Sequence, residues 1–157
     1  MLDLETDNQL DSESESENSQ RLWLHLFKCA KQLEQDMTDR FRDSYDSSFS
    51  RFDVLAHLFE AGKSGLSTSI LASALLASKG NITRLLDRME EDGLLDRKPS
   101  SADRRVSNIY LSEQGAALFE RMAVDHQAWA HELFKDSSIR DKEELLRLIT
   151  QIRKRLV

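Results

Sequence analysis

Apolar residues recur every three or four positions over most of this chain, and every second position over only two short runs. From Arg21 to Tyr45, Trp23, Phe27, Ala30, Leu33, Met37 and Phe41 step along one side, while Lys31, Gln35 and Asp39 fall elsewhere. That spacing predicts a long amphipathic helix. Asp46-Ser47-Ser48 breaks it, and Ser50-Arg51-Phe52-Asp53 has capping-box spacing before a helix carrying Val54, Leu55, Leu58 and Phe59. After a turn at Gly65, Ser67 can cap a short helix holding Ile70, Leu71, Ala74 and Leu75. A brief turn at Leu76-Ala77 leads to Ser78, a cap for a further helix with Ile82, Leu85, Leu86 and Met89 on its buried side. Two short helices joined by a few residues form a helix-turn-helix pattern, and Ala72, Ala74 and Ala77 let them approach closely.

Gly93 is the left-handed residue expected just past the C-terminus of that helix. Leu94–Lys98 and Val106–Leu111 then read as two strands. The loop between them holds Pro99, the single proline of the chain, and the cluster Asp103-Arg104-Arg105. Ser112 can cap a second long helix with Leu118, Met122, Trp129, Leu133 and Phe134 along its stripe. Ser138-Ile139-Arg140-Asp141 is another box-like start, and Leu145, Leu148, Ile149, Ile152 and Leu156 run on at helical spacing.

The inventory predicts a mainly α chain with a small β wing. A winged helix-turn-helix occupies residues 48–112. Helices at 21–47 and 113–157 have apolar stripes and no sheet to cover, so they are expected to bury one another in a symmetric dimer. A capped helix with a polar, cationic N-terminal half, followed by a hairpin with a cationic tip, suits the grooves of a DNA duplex.

Charge first argues against that partner, because the 157 residues carry a net charge of −6. The distribution reverses the argument. Asp3, Glu5, Asp7, Asp11, Glu13, Glu15 and Glu17 fall in residues 1–20, and all 22 basic residues lie beyond them. The tail is expected to be disordered, either as a solubilising segment or as a competitor for the basic face. The body is close to neutral and can present a cationic side. One cysteine, Cys29, excludes an intrachain disulfide and a cysteine-based zinc site, and reads as a buried, inert thiol. No segment resembles a membrane span or a secretory signal, so a reducing cytoplasm is the expected compartment. His126 and His131 are the only closely spaced histidines, and they sit roughly 140° apart on a helix, so no metal site is expected. Paired carboxylates, a nucleophile beside a base and a Gly-rich phosphate loop are all lacking, which argues against an enzyme; no cofactor is expected.

Three stretches together resemble the MarR family of bacterial winged-helix regulators. They are Leu66-Ser67-x-x-x-Leu71-Ala72; Asn81-Ile82-Thr83-Arg84-Leu85-x-Asp87-Arg88-Met89-Glu90-x-x-Gly93-Leu94-Leu95-x-Arg97; and Asp103-Arg104-Arg105 followed by Leu111-Ser112-x-x-Gly115. The likeness spans residues 21–157. Ile70, where a polar residue is common, and Ser112, where threonine is common, depart from the pattern. Phe52-Asp53-Val54-Leu55-Ala56, Gly80-Asn81-Ile82-Thr83 and Met122-Ala123-x-x-His126-x-x-Trp129 are similar to members that control aromatic-acid breakdown, some of them responsive to hydroxycinnamoyl-CoA.

The resemblance implies a homodimeric transcriptional repressor of double-stranded operator DNA, released by a small aromatic carboxylate or an aromatic acyl-CoA. It implies that Lys79, Asn81, Thr83 and Arg84 face the major groove behind the cap Ser78, with Gly80 clearing the backbone for phosphate. Asn can read adenine, Arg can read guanine, and a Thr methyl can pack on thymine. Arg104 and Arg105 belong to the wing tip, with Arg105 as the minor-groove residue and Asp103 as its brace, paired to Arg88. Arg97 and Lys98 are expected at phosphates. Trp23, Phe27, Phe41, His57, His126 and Trp129 could line an effector pocket between dimer helices and winged helix, with Arg40 and Arg42 as its cations; plain core is the competing reading. A winged helix used for protein contact, with the acidic tail as docking arm, is the rival function.

Overall fold

The first helix of this computed structural model, α1 (Glu15–Tyr45), starts at Glu15 rather than Arg21. Glu15 and Glu17 in its first turn complement the helix dipole, so part of the acidic stretch is helical. The structure describes residues 15–99 and 107–156; the rest of the tail and the cluster Asp103-Arg104-Arg105 lie outside the described residues. Phe41 is buried, while Trp23 and Phe27 are exposed. Cys29 is also exposed, against the expectation of a buried thiol. Ala30 beside it is exposed as well, so nothing within the single chain covers this stretch of α1.

The chain divides between Phe49 and Ser50 into two compact units. The second holds all but the first residue of α2 (Phe49–Ala61), then a 3₁₀ turn (Gly62–Ser64), β1 (Leu66–Ser67), α3 (Thr68–Ala74), α4 (Lys79–Glu91), β2 (Leu95–Pro99), β3 (Ser107–Leu111), α5 (Glu113–Leu133) and α6 (Ile139–Arg153). Because α2 already starts at Phe49, Ser50 lies inside the helix and the expected capping box at residues 50–53 does not form the start. The other caps are where the serines predict them. Ser67, Ser78, Ser112 and Ser138 each accept an amide from the residue three positions on, and Ser138 with Asp141 completes a reciprocal capping box.

The sheet is antiparallel with strand order β1-β3-β2. Its third strand, β1, is only two residues long, too short for alternation to reveal it, and pairs Leu66 with Ile109. Pro99 closes β2 opposite Ser107 instead of lying in the loop. Proline, with no N–H to donate, is tolerated there because β2 is an edge strand.

The core of this unit is Phe52, Val54, Leu55, Leu58, Leu71, Ile82, Leu86, Met89, Leu94, Leu95, Ile109 and Met122. Phe59 remains partly exposed but meets Phe119 of α5 with ring centroids 4.7 Å apart, and Phe52 stacks on Phe119 at 5.6 Å. Ile70, expected in the core, is 54% exposed; Leu71 and Ala72 bury that helix instead.

The end of α4 is fastened to the start of α5. Gly93 takes φ 74°, its amide bonds to the Glu90 carbonyl, and the Leu94 amide reaches back to Met89. Ser112 donates its amide to the Leu94 carbonyl at 3.1 Å and its hydroxyl to the Gly93 carbonyl at 2.7 Å. Gly115 lies directly against the Leu94 carbonyl, where any Cβ would overlap the oxygen. Gly115→Ala should therefore destabilise the fold by about 1–3 kcal/mol, as overpacking does. Gly80→Ala, at a helical position where a Cβ meets nothing within 4 Å, should be neutral or stabilising. Urea denaturation midpoints of the two variants check the contrast.

Candidate nucleic-acid interface

Helix α4 buries Ile82, Leu86 and Met89 and so turns its other side outward. Gly80, Asn81, Thr83 and Arg84 are exposed there. Arg84 donates from Nη2 to the Asn81 side-chain oxygen at 3.1 Å, so two candidate base readers already hold each other in place. Ser78 caps the helix, its Oγ taking the Asn81 amide at 3.3 Å. Lys79 opens the helix. No carboxylate precedes Asp87 in it, so its N-terminal half adds side-chain cations to the positive end of the dipole.

The C-terminal half is acidic, a poor face for phosphate and an unfavourable sign at that end of a helix. Two arginines from elsewhere offset it. Arg97 of β2 reaches Asp87 at 2.5 Å and Glu90 at 3.2 Å. Arg51 of α2 pairs with Asp92. Arg97 was expected to meet a phosphate; it is taken up in tying the wing to the recognition helix. Strand alternation explains this. Leu95 faces the core, Arg97 is two residues on and shares its side, and it stands opposite the buried Ile109. Lys98, one residue on, faces the other way and lies over the Tyr110 ring, 5.4 Å from its centroid. Arg88 is on the exposed side of α4, and its expected partner Asp103 falls outside the described residues. The Arg51–Asp92 pair spans 41 positions, and no local pattern announces it.

The effector candidates are distributed over both units. On α1, Trp23 and Phe27 are exposed and Phe41 is buried. Arg40 pairs with Asp36 at 2.8 Å and Arg42 with Asp39 at 2.7 Å, so both cations are engaged along their own helix. The Asp39 carboxyl is held below its ordinary range by the Gln35 amide and then by Arg42. In the second unit, His57 Nδ1 lies 2.9 Å from the Asp53 carbonyl oxygen and 3.4 Å from its carboxylate. Burial pushes the Asp53 carboxyl up, against the pull of His57. The His126 ring packs on Phe52 with centroids 4.8 Å apart, and burial lowers its affinity for a proton. Trp129 is half-buried. A cleft of about 630 Å³ in the same unit is walled by Leu58, Phe59, Lys63, Lys98, Tyr110 and Leu111, and none of the candidates on α1 or α5 lines it. Among the described residues no group of three His, Cys, Asp or Glu side chains is placed to hold a metal, and no helix is long and apolar enough to cross a membrane.

A capped helix with a carboxylate-free N-terminal half, forming the second helix of a helix-turn-helix and braced by a three-stranded wing, defines a winged helix-turn-helix protein. The comparisons with known proteins agree. The MarR family model matches residues 48–107. The HTH-type transcriptional regulator PecS of Dickeya dadantii is 33% identical over 120 residues, which cover 76% of this chain and 72% of that protein. An uncharacterized HTH-type regulator of Bacillus cereus is 30% identical over 134 residues, 85% of this chain and 87% of its own. Among solved structures, BldR of Sulfolobus solfataricus superposes with a TM-score of 0.80 at 21% identity, covering 91% of this chain and 99% of its own. The S. aureus MepR–DNA complex does so at 0.78 and 21%, covering 86% and 98%. The chain belongs to the MarR family, whose members are transcriptional regulators and not enzymes.

The Arg97 bridge yields a measurable coupling. A double-mutant cycle over Asp87→Ala and Arg97→Ala should show an interaction of about 0.5–1 kcal/mol in urea unfolding, modest because both groups are partly solvated. Strictly additive effects would mean the pair does not fasten the wing.

Proposed function

We propose that this protein is a homodimeric repressor that binds a pseudo-palindromic operator through α4 and the wing, and is released by an aromatic carboxylate or an aromatic acyl-CoA thioester. The observation that carries the DNA reading is the polarity of α4: Asn81, Thr83 and Arg84 exposed in its first half, carboxylates at its end paired with Arg97 and Arg51. In this reading Asn81, Thr83 and Arg84 contact base edges, and Lys79 and Lys98 neutralise phosphates. Arg105 enters the minor groove, with Arg104 on the flanking backbone. The MepR structure with DNA supports such a use of the same fold.

The dimer reading rests on α6. It carries an apolar stripe, yet none of its residues is buried in the single chain, and Leu145, Leu146 and Leu148 are all exposed. A second copy is the economical cover, with residues 21–47 and 113–157 serving dimerisation and 48–112 serving DNA. Two copies of α4 would then enter successive major grooves about 34 Å apart. The effector class rests on the likeness of the sequence blocks around Phe52, Gly80 and Met122 to regulators of aromatic-acid breakdown. Aromatic carboxylates and a hydroxycinnamoyl-CoA, titrated into the operator complex, test it by release of DNA.

Operator affinity measured by fluorescence anisotropy should fall steeply as salt rises, because each neutralised phosphate releases counterion. A flat response would favour a protein partner instead. Arg84→Ala should cost about 1–3 kcal/mol and relax preference at one base pair. Arg105→Ala should weaken binding most where A/T-rich flanks narrow the minor groove, read by footprinting.

A further inference from the structure

Two helices of this chain, α3 and α4, end with the same pair of backbone hydrogen bonds, to the residues three and five positions back, and α1 ends with a wider pair, to the residues four and six positions back. After α1, Asp46 N–H donates to Arg42 and Ser47 N–H to Phe41. After α3, Leu76 N–H donates to Ser73 at 3.3 Å and Ala77 N–H to Ala72 at 2.9 Å. After α4, Gly93 N–H donates to Glu90 and Leu94 N–H to Met89. Each closure requires one residue in the left-handed region: Asp46 at φ 49°, Leu76 at φ 49° and Gly93 at φ 74°. Glycine has no Cβ to clash there, and aspartate's short polar chain tolerates the conformation. Leucine has neither property.

Packing does not compensate. Leu76 is 96% exposed, a larger fraction than any other large apolar side chain among the described residues. The residue that reaches back to the buried Ala72 is Ala77, through its backbone amide, and not Leu76. A strained residue with an unburied apolar side chain is a pointer to function rather than to folding. Its place is informative. Two peptide units separate it from Ser78, so its Cα lies within about 8 Å of the cap of α4.

We propose that Leu76 is a DNA-contact residue, whose side chain packs on an apolar part of the duplex at the edge of the groove that α4 enters. The occupant is a deoxyribose face or a thymine methyl, the two apolar surfaces a duplex offers there. The inference rests on the DNA-binding reading and adds to it a contact that neutralises no phosphate. Because α4 delivers cations and hydrogen-bonding groups, the turn before it supplies the apolar part of the footprint.

The test uses Leu76→Asn and Leu76→Gly in the full chain, with duplexes selected by the wild-type protein from a random pool. Both replacements suit a left-handed φ, so thermal stability should hold or rise and misfolding cannot explain a binding defect. Operator affinity should fall about five- to tenfold, as half-burial of one leucine would give. The slope of affinity against salt should stay that of the wild type, since no counterion is involved. With uracil in place of thymine, a loss in the wild type that the Asn variant does not share assigns the methyl, and equal responses assign the deoxyribose. Affinity within twofold of wild type overturns the proposal, and so does a loss accompanied by a change of oligomeric state in sedimentation, which would make Leu76 a protein contact. Arg84→Ala is run alongside. If it weakens binding and the Leu76 variants do not, Leu76 alone is excluded; a wild-type chain that selects no duplex removes both readings.

Discussion

The junction of Gly93, Leu94, Ser112 and Gly115 is the constraint on which the winged helix depends. The Leu94 carbonyl sits at its centre, taking the Ser112 amide and lying against the bare Cα of Gly115. Ser112 acts three ways at once: its amide donates to Leu94, its hydroxyl donates to Gly93, and the same oxygen accepts the Gly115 amide at 2.9 Å. The recognition helix, the wing and α5 therefore meet at four residues. Each of these hydrogen bonds is worth only about 1 kcal/mol net, but together they set the angle at which α4 leaves the core relative to the strands. A reading helix and a wing can act on one duplex only if that angle is fixed.

Charge is arranged by the same local logic. A net charge of −6 describes the whole chain and says little about α4. What matters within a Debye length of about 8–10 Å is the order of charges along one helix. Cations at the start reinforce the dipole's positive end for a phosphate, and carboxylates at the other end would weaken the helix and repel DNA if left alone. Arg97 and Arg51 remove that penalty while fastening β2 and α2 to α4. These pairs are half-solvated, so their contribution lies more in placement and local potential than in stability.

Much of this was legible in the sequence because it is local. A serine before an apolar-periodic run announces a cap, and four of the five caps read that way are present, with Ser50 the exception because α2 starts at Phe49, two residues sooner than a cap at Ser50 requires. Gly93 announced its φ. The recognition helix was legible as a whole, since Ile82, Leu86 and Met89 leave only one side for Asn81, Thr83 and Arg84. Features that need a distant partner were not legible. β1 is defined only by its pairing with β3, and Arg51–Asp92 only by the packing of α2 on the end of α4. The left-handed Leu76 hid for the opposite reason: position, not residue type, dictates the conformation, and leucine gives no warning.

Arg97 and Lys98 show how far alternation alone can carry a functional argument. Both are cations in a wing strand, and composition treats them as equivalent phosphate ligands. Period two separates them, because Leu95 must face the core and everything two residues on shares its side. Arg97 therefore meets Asp87 and Glu90, and Lys98 lies across Tyr110 on the opposite face. The same register pairs Arg97 with the buried Ile109, which keeps the guanidinium close to α4. A planar guanidinium is suited to this post, since it can engage two carboxylates one helical turn apart, whereas an ammonium is a single compact charge. The strand thus assigns its stiffer cation to the tie with α4 and leaves its more flexible one on the opposite face, over Tyr110.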